Sequence, residues 1–259
     1  DELGKLNTTD IDFLLGLFDF DRLPYAADIA GNPNPGEDTP PLVRLVHYSL
    51  EMLQKKAHSN GFLLFVEDGN IQEAHRENKP YKAFEQVKHY AGALNMGVMM
   101  VSETNTLTIS MNDVGSTLSI PGYAKRNSDA LSEAGTSDVD SKPYLSLAYA
   151  TGPSYDSYYS TAEGGRLNPL TVLIGTPQKN EQRCNAAVPM QEGVNGGEDA
   201  SVYASGPWAF MLSGGYEQNF IAHSIAFASC ITDICDGASS LAVSSLVLLL
   251  AALTKLLLV

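Results

Sequence analysis

Residues 62–79 constrain the fold more than any other stretch. The run Phe62-Leu63-Leu64-Phe65-Val66 leads into Glu67-Asp68-Gly69 and then into Asn70-Ile71-Gln72-Glu73-Ala74-His75-Arg76-Glu77-Asn78-Lys79. An unbroken apolar run of this length fits a short buried strand, the glycine marks a turn, and the polar stretch after it has the composition of a helix. Strand, turn and helix in that order make an α/β building block. In open α/β sheets ligands sit at the carboxyl ends of strands, and Glu67 stands at such an end.

Other elements follow from periodicity. Ile11 to Phe18 has a buried-strand composition, and the segment from Asn32 to Pro41, with four Pro and one Gly, is a loop. Leu42, Leu45, Val46, Leu50 and Leu53 recur at helical spacing after Pro40-Pro41, which suits a helix start. A second helix is expected from Pro80, with Ala83, Phe84, Val87, Tyr90 and Ala91 on one face. Thr106 to Met111 reads as a further strand. Residues 121–188 are rich in Gly, Ser, Asp and Tyr and include four Tyr between Tyr149 and Tyr159, which fits a loop-rich cap packed by its aromatic rings.

The chain has 259 residues, enough for one large α/β domain or two small ones, and its 44% apolar and 18% charged content is globular. A net charge of −14 argues against nucleic acid or an anionic membrane surface as an electrostatic partner. The chain opens on Asp1 instead of Met, so a processed or truncated product is expected, with any signal peptide already absent. Of three cysteines, Cys230 and Cys235 are spaced for a small disulfide loop, and Cys184 is left either buried and inert or exposed. Asn7-Thr8-Thr9 is a glycosylation sequon, which gains meaning in a secreted chain.

Leu241 to Val259 is almost wholly apolar and follows the small residues Asp236-Gly237-Ala238-Ser239-Ser240. A small-residue site ahead of a terminal apolar tail is the plan of a GPI-attachment signal, although the spacer is short and Lys255 interrupts the tail. A retained membrane span is the alternative, since about 20 residues cross a bilayer. Both readings tether the chain outside the cytoplasm at the cell surface, the lipid anchor placing it on the outer leaflet.

Three motifs resemble the alkaline phosphatases. Val66, Glu67, Gly69, Ile71, Glu77 and Lys79 match the family's Val-Glu-Gly-Gly-Arg-Ile-Asp-x-x-x-His segment and its Glu/Asp-x-Lys continuation. Asp113, followed by Thr117-Leu118-Ser119-Ile120-Pro121-Gly122-Tyr123, matches a strand ending in Asp-His-Ser-His and running into Thr-x-Thr-x-x-Gly-Tyr. Asn195-Gly196-Gly197-Glu198-Asp199 with Tyr203-Ala204-x-Gly206-Pro207 matches Thr-His-Gly-Gly-Glu-Asp-Val-x-x-Tyr-Ala-x-Gly-Pro. The resemblance covers roughly Asp10 to Cys230 and implies the C-terminal half of an α/β sheet flanked by helices. It implies a partial α/β core over 1–120, a crown-like insertion over 121–190, a return to the core over 191–235 and the anchor signal or span over 236–259. It also implies a homodimer, and animal members carry small disulfide loops near the C-terminus.

The family uses two zinc ions and one magnesium to hold a phosphoserine and activate a water. By resemblance Glu67 stands for the magnesium ligand and Asp113 for one ligand of the second zinc. Gln72, Arg76, Val114 and Asn195 replace the other four ligands of these segments. Val has no lone pair, Arg is permanently charged, and the amides of Gln and Asn are weak ligands for zinc. The first zinc site thus loses every ligand it had. His75 is read as a lone histidine on a surface helix, and Arg76 as pairing with Glu73, Glu77 or Asp113 in place of a cation. The family's Asp-Ser-Ala nucleophile motif does not occur, and Asp156-Ser157-Tyr158 reads as a turn. No catalytic residue is expected, and no metal cofactor beyond residual magnesium. The leading expectation is therefore an inactive, surface-anchored homologue that binds or displays, with an unknown protein or small-molecule ligand. The alternatives are a phosphate-monoester hydrolase that needs an N-terminal half and metal ions, and a truncated product with no stable fold.

Overall fold

The structure is a computed structural model and describes residues 3–5, 7, 11–30, 39–57 and 61–231. Thr8 and Thr9 of the sequon, Cys235 and the apolar tail lie outside the described residues. The helices are α1 (Ala26–Ala30), α2 (Leu42–Lys56), α3 (Asn70–Arg76), α4 (Pro80–Met100), α5 (Tyr155–Tyr158), α6 (Pro169–Ile174) and α7 (Asn219–Ala228). The strands are β1 (Thr108–Met111), β2 (Gly115–Ser116), β3 (Leu118–Ser119), β4 (Glu133–Thr136), β5 (Pro143–Leu145), β6 (Ala148–Gly152), β7 (Tyr159–Ser160), β8 (Gly165–Arg166), β9 (Ala186–Pro189), β10 (Asn195–Gly196) and β11 (Val202–Ser205). The described residues thus form an α/β fold of helices and small sheets, divided into two compact units.

The first unit comprises residues 1–100 and 112–200. α2, α3 and α4 stand where the sequence places them. However, α4 buries Lys82, Ala83, Gln86 and Ala93, whereas Val87 and Ala91 of the expected apolar face are exposed. The ion pairs and hydrogen bonds of Lys82 and Gln86 draw that side of the helix inward. α2 starts directly after Pro41 and buries Val46 and Leu50; both face Gly97 of α4, where a side chain's Cβ would make ordinary contact with them. Ala74 of α3 and Ala83 of α4 are small enough for the two helices to close on Tyr25. The hydroxyl of Tyr25 donates to Glu77 at 2.8 Å. Lys82 is buried on α4, and its ammonium is satisfied by Asp28 at 2.8 Å and Glu181 at 2.7 Å. Glu181 also holds Lys79 at 2.8 Å, and the bonds from these two lysines keep its carboxyl down at about 2.

A second core in this unit is built from the loop-rich region. Leu131, Leu145, Leu147, Tyr149, Tyr158, Leu173, Cys184 and Ala186 pack together. β6 lies in the middle of a three-stranded sheet, antiparallel to β3 and parallel to β9. Cys184 is free and fully buried, and burial pushes its thiol well up from the usual range. Of the two readings open for this cysteine, the inert one holds. Ser157 sits on the single helical turn of α5.

Two expected strands do not form. Phe62–Val66 forms no strand; its exposure alternates, with Phe62, Leu64 and Val66 half-buried and Leu63 and Phe65 exposed. Residues 11–18 likewise form no strand. A strand exists only when a neighbour accepts its backbone bonds, and no described segment lies in register with either run.

The second unit comprises residues 101–111 and 201–259. β1, at the expected position, pairs antiparallel with β11, Ile109 opposite Ala204. Gly206 ends β11 at φ +96°, and a Cβ there would lie 2.0 Å from the Thr106 carbonyl, so the turn accepts only glycine. α7 follows, with Phe227 edge-on to Trp208 at 4.9 Å between ring centroids. Among the described residues no helix is long and apolar enough to cross a membrane.

Candidate functional site

The site is assembled on α3 of the first unit. The helix begins after Gly69 with Asn70 buried, its side-chain amide donating to the Leu23 carbonyl at 3.0 Å. Gln72 lies in its first turn and Arg76 one turn later, so both side chains stand on one face, four residues apart. The segment before β10 docks on the end of this helix: Gly193 N–H donates to the Arg76 carbonyl at 2.8 Å, and Val194 N–H donates to Thr151 Oγ1 at 3.0 Å. β10 then pairs with β2, Asn195 opposite Ser116 and Gly196 opposite Gly115. Asn195 is thereby brought back to α3, 123 positions from Gln72 in sequence, and Gln72 Nε2 donates to Asn195 Oδ1 at 2.9 Å.

Arg76 is engaged from two sides. Its Nη1 lies 3.4 Å from Glu73 Oε1 and 3.7 Å from Glu192 Oε2. Pairing with Glu73 is as the sequence implied, whereas Glu192 was not foreseen. It lies in a short loop without periodicity, and only the docking of Gly193 on α3 brings it within reach. Glu73 also accepts from Arg22 at 3.4 Å, so α3 carries an alternating chain of guanidinium and carboxylate.

His75 is not the surface histidine that the polar helix suggested. It is largely buried, its Nδ1 lies 2.7 Å from the Tyr149 hydroxyl, and burial lowers its pKa to about 4. The ring is therefore neutral at physiological pH. Its partner comes from β6, 74 positions downstream, which local composition does not encode. Asn78, at the end of this segment, is fully buried in the left-handed region at φ 58°. Its Nδ2 donates to the Thr151 carbonyl at 3.1 Å, and its Oδ1 lies 2.9 Å from Ser154 Oγ. The Cys184 N–H donates to its carbonyl at 3.1 Å. This one residue joins α3 to the loop-rich core.

Glu67 is exposed and has no hydrogen-bond or ion-pair partner among the described residues. Asp113 is also exposed, and its Oδ1 accepts from the Val114 N–H at 2.9 Å. Val114, half-buried, offers no donor atom in its side chain. Among the described residues no three His, Cys, Asp or Glu side chains converge in a group able to hold a metal ion.

The family model for alkaline phosphatase matches residues 1–231. The chain is 37% identical over 231 residues to the alkaline phosphatase of Gadus morhua, covering 89% of this chain and 46% of that protein. It is 35% identical over 231 residues to the tissue-nonspecific alkaline phosphatase isozyme of Gallus gallus, covering 89% of this chain and 42% of that protein. For the tissue-nonspecific isozyme of Rattus norvegicus the identity is 35% over 243 residues, 92% of this chain and 44% of the relative. The chain belongs to the alkaline phosphatase family, and it spans less than half the length of these relatives.

Membership raises the question of whether the residues present fit the family's zinc. At the first zinc position they do not. Gln72 and Asn195 spend an amide donor and an amide acceptor on each other, and Arg76 adds a fixed positive charge beside them. A zinc site takes imidazole, thiolate or carboxylate; Gln72, Arg76 and Asn195 supply none, and the neighbouring carboxylates of Glu73 and Glu192 are paired with Arg76.

Proposed function

We propose that the chain is a catalytically inactive, cell-surface member of the alkaline phosphatase family that acts by binding or display. The observation that carries this reading is the bond between Gln72 and Asn195 beside the ion-paired Arg76. Of three positions that the family resemblance assigns to zinc ligands, Gln72 and Asn195 satisfy each other, and Arg76, one turn from Gln72 on α3, is satisfied by Glu73 and Glu192. A bonded amide pair and a guanidinium neutralised by carboxylates are stable without a cation. A zinc ion entering there would have to displace both and would gain two weak ligands.

Glu67 is the position for residual magnesium, a hard cation served by carboxylates and water, and Asp113 is what remains of the second zinc's ligands. The surface reading rests on the apolar stretch Leu241–Val259 after the small residues 236–240, as a lipid-attachment signal or a membrane span. Homodimerisation, and the disulfide loop between Cys230 and Cys235, are part of the same proposal. A phosphate-monoester hydrolase is the second reading. It is favoured by family membership and by the free carboxylate of Glu67, and it needs the rest of the family's fold to bring a nucleophile.

The deciding experiment measures zinc and magnesium in the purified chain together with hydrolysis of an aryl phosphate at alkaline pH. Zinc well below one ion per chain and no turnover support the proposal. Zinc near two ions per chain with turnover would establish the hydrolase instead.

A further inference from the structure

The loop-rich core of the first unit holds a cavity of about 290 Å3 that shares no residue with the site on α3. Tyr158, Val172 and Leu173 give it an apolar wall, and Tyr158 and Leu173 belong to the buried core beneath. Arg183, Ser157 and Thr176 give it polar groups. The Arg183 guanidinium is half-buried, yet it has no ion-pair or hydrogen-bond partner among the described residues. The side-chain hydroxyls of Ser157 and Thr176 are likewise unbonded among the described residues.

The carboxylates nearby are already committed. Glu181 also lines the cavity, but its Oε2 holds Lys79 at 2.8 Å and its Oε1 holds Lys82 at 2.7 Å. Lys82 is further held by Asp28, and Lys79 by Glu77, both at 2.8 Å. The two lysines thus share Glu181, Asp28 and Glu77 between them, and Arg183 takes none. Its backbone is fixed: the Arg183 carbonyl accepts from the Tyr158 hydroxyl, and the Cys184 N–H donates to the Asn78 carbonyl at 3.1 Å. A permanently charged group, partly withdrawn from water and presented from a fixed backbone, is what an anionic ligand compensates. It is an exception in a chain of net charge −14.

We infer that this cavity binds a small carboxylate with an apolar body, the carboxylate held by Arg183, Ser157 and Thr176 and the body lying against Tyr158, Val172 and Leu173. A guanidinium meets a carboxylate through two parallel N–H···O bonds, and hydroxyls donate to the lone pairs that remain. The apolar wall selects against inorganic phosphate, which has no surface to bury there and brings a second negative charge toward Glu181. The volume stands at the lower end of small-molecule sites, about 300–1,000 Å3, and suits an acid the size of benzoate. The inference stands apart from the loss of zinc chemistry, because an active chain would carry the same cavity.

The test titrates the full chain with benzoate at neutral pH by calorimetry. The expected result is saturable one-to-one binding with a Kd of about 1 mM or below. Arg183→Gln should weaken it at least about tenfold. That substitution removes no contact within the described residues, so an unchanged melting temperature without ligand shows that the variant is folded. Arg126→Gln, at an exposed arginine of the same unit, should leave binding unchanged. Inorganic phosphate should displace benzoate only at a concentration at least about tenfold higher, since it leaves the apolar wall uncovered. Absence of saturable binding overturns the inference. So does an Arg183→Gln variant that binds within about twofold of the parent. Phosphate that competes at equal or lower concentration than benzoate would also sink it, because the wall would then contribute nothing.

Discussion

Gln72 on α3 and Asn195 on β10 hold each other by one hydrogen bond of 2.9 Å, although 123 positions separate them. The bond depends on β10 pairing with β2 and on Gly193 docking against the end of α3, so the backbone here brings together two amides at positions that the family resemblance assigns to zinc ligands. If the backbone is intact and only the side chains have changed, restoring them should restore metal. The triple variant Gln72→Asp, Arg76→His, Asn195→His is expected to bind about one zinc per chain, three protein ligands being enough for an open zinc site. Metal analysis after dialysis is the readout, with Gln72→Asp alone as the control that stays nearly zinc-free. A triple variant with no bound zinc would mean that the three positions do not converge as described.

Asn78 should be among the costliest positions in the chain. Its side chain bridges the Thr151 carbonyl and Ser154 while its backbone sits at φ 58°, a conformation that Asn and Gly tolerate and Ala resists. Asn78→Gly keeps the backbone and leaves buried groups unpaired, at a cost of about 2–3 kcal/mol. Asn78→Ala adds about 1 kcal/mol of backbone strain. Chemical denaturation of both variants checks the order, and equal losses would show that the left-handed conformation contributes nothing.

In the second unit, Gly206→Ala places a methyl group where the Thr106 carbonyl already lies, at a φ of +96° that alanine avoids. The clash is with backbone, which cannot rotate away as a side chain can. A loss of at least about 2 kcal/mol is expected, seen as faster amide exchange along β1 and β11. Unchanged exchange there would show that the turn relaxes.

What could be read in the sequence were features decided within a few residues. α2 and α4 begin after or at prolines and carry apolar side chains at helical spacing, and both stand where the pattern put them. β1 likewise needed only its own composition and a partner supplied by β11. The run Phe62–Val66 was misread for a physical reason: strand composition is local, but a strand's hydrogen bonds belong to its neighbour. His75 was misread in the same way, because Gln72, Glu73, Arg76 and Glu77 around it describe a wet helix, whereas β6 buries one side of it through Tyr149. At the site, the identity of the substituted residues was plain and their mutual bonding was not. Nothing in the neighbourhood of Gln72 encodes the arrival of Asn195.

Burying His75 makes the stability of the chain depend on pH. Its folded-state pKa is about 4 against 6.5 for the free side chain, because the neutral ring is the form that burial favours. An imidazole with a depressed folded-state pKa takes up its proton more readily in the unfolded chain, so acid favours unfolding. The stabilisation is fully present above pH 6.5 and is lost progressively as the pH falls to about 4, below which the ring is charged in both states. The full difference is on the order of 3 kcal/mol. Melting temperatures between pH 7 and pH 4 should fall accordingly, and His75→Gln, which keeps a polar group for Tyr149 but cannot titrate, should flatten that part of the profile. Nuclear magnetic resonance of the imidazole gives the independent reading. A midpoint near 6.5 would place the ring in water and remove the basis of the prediction.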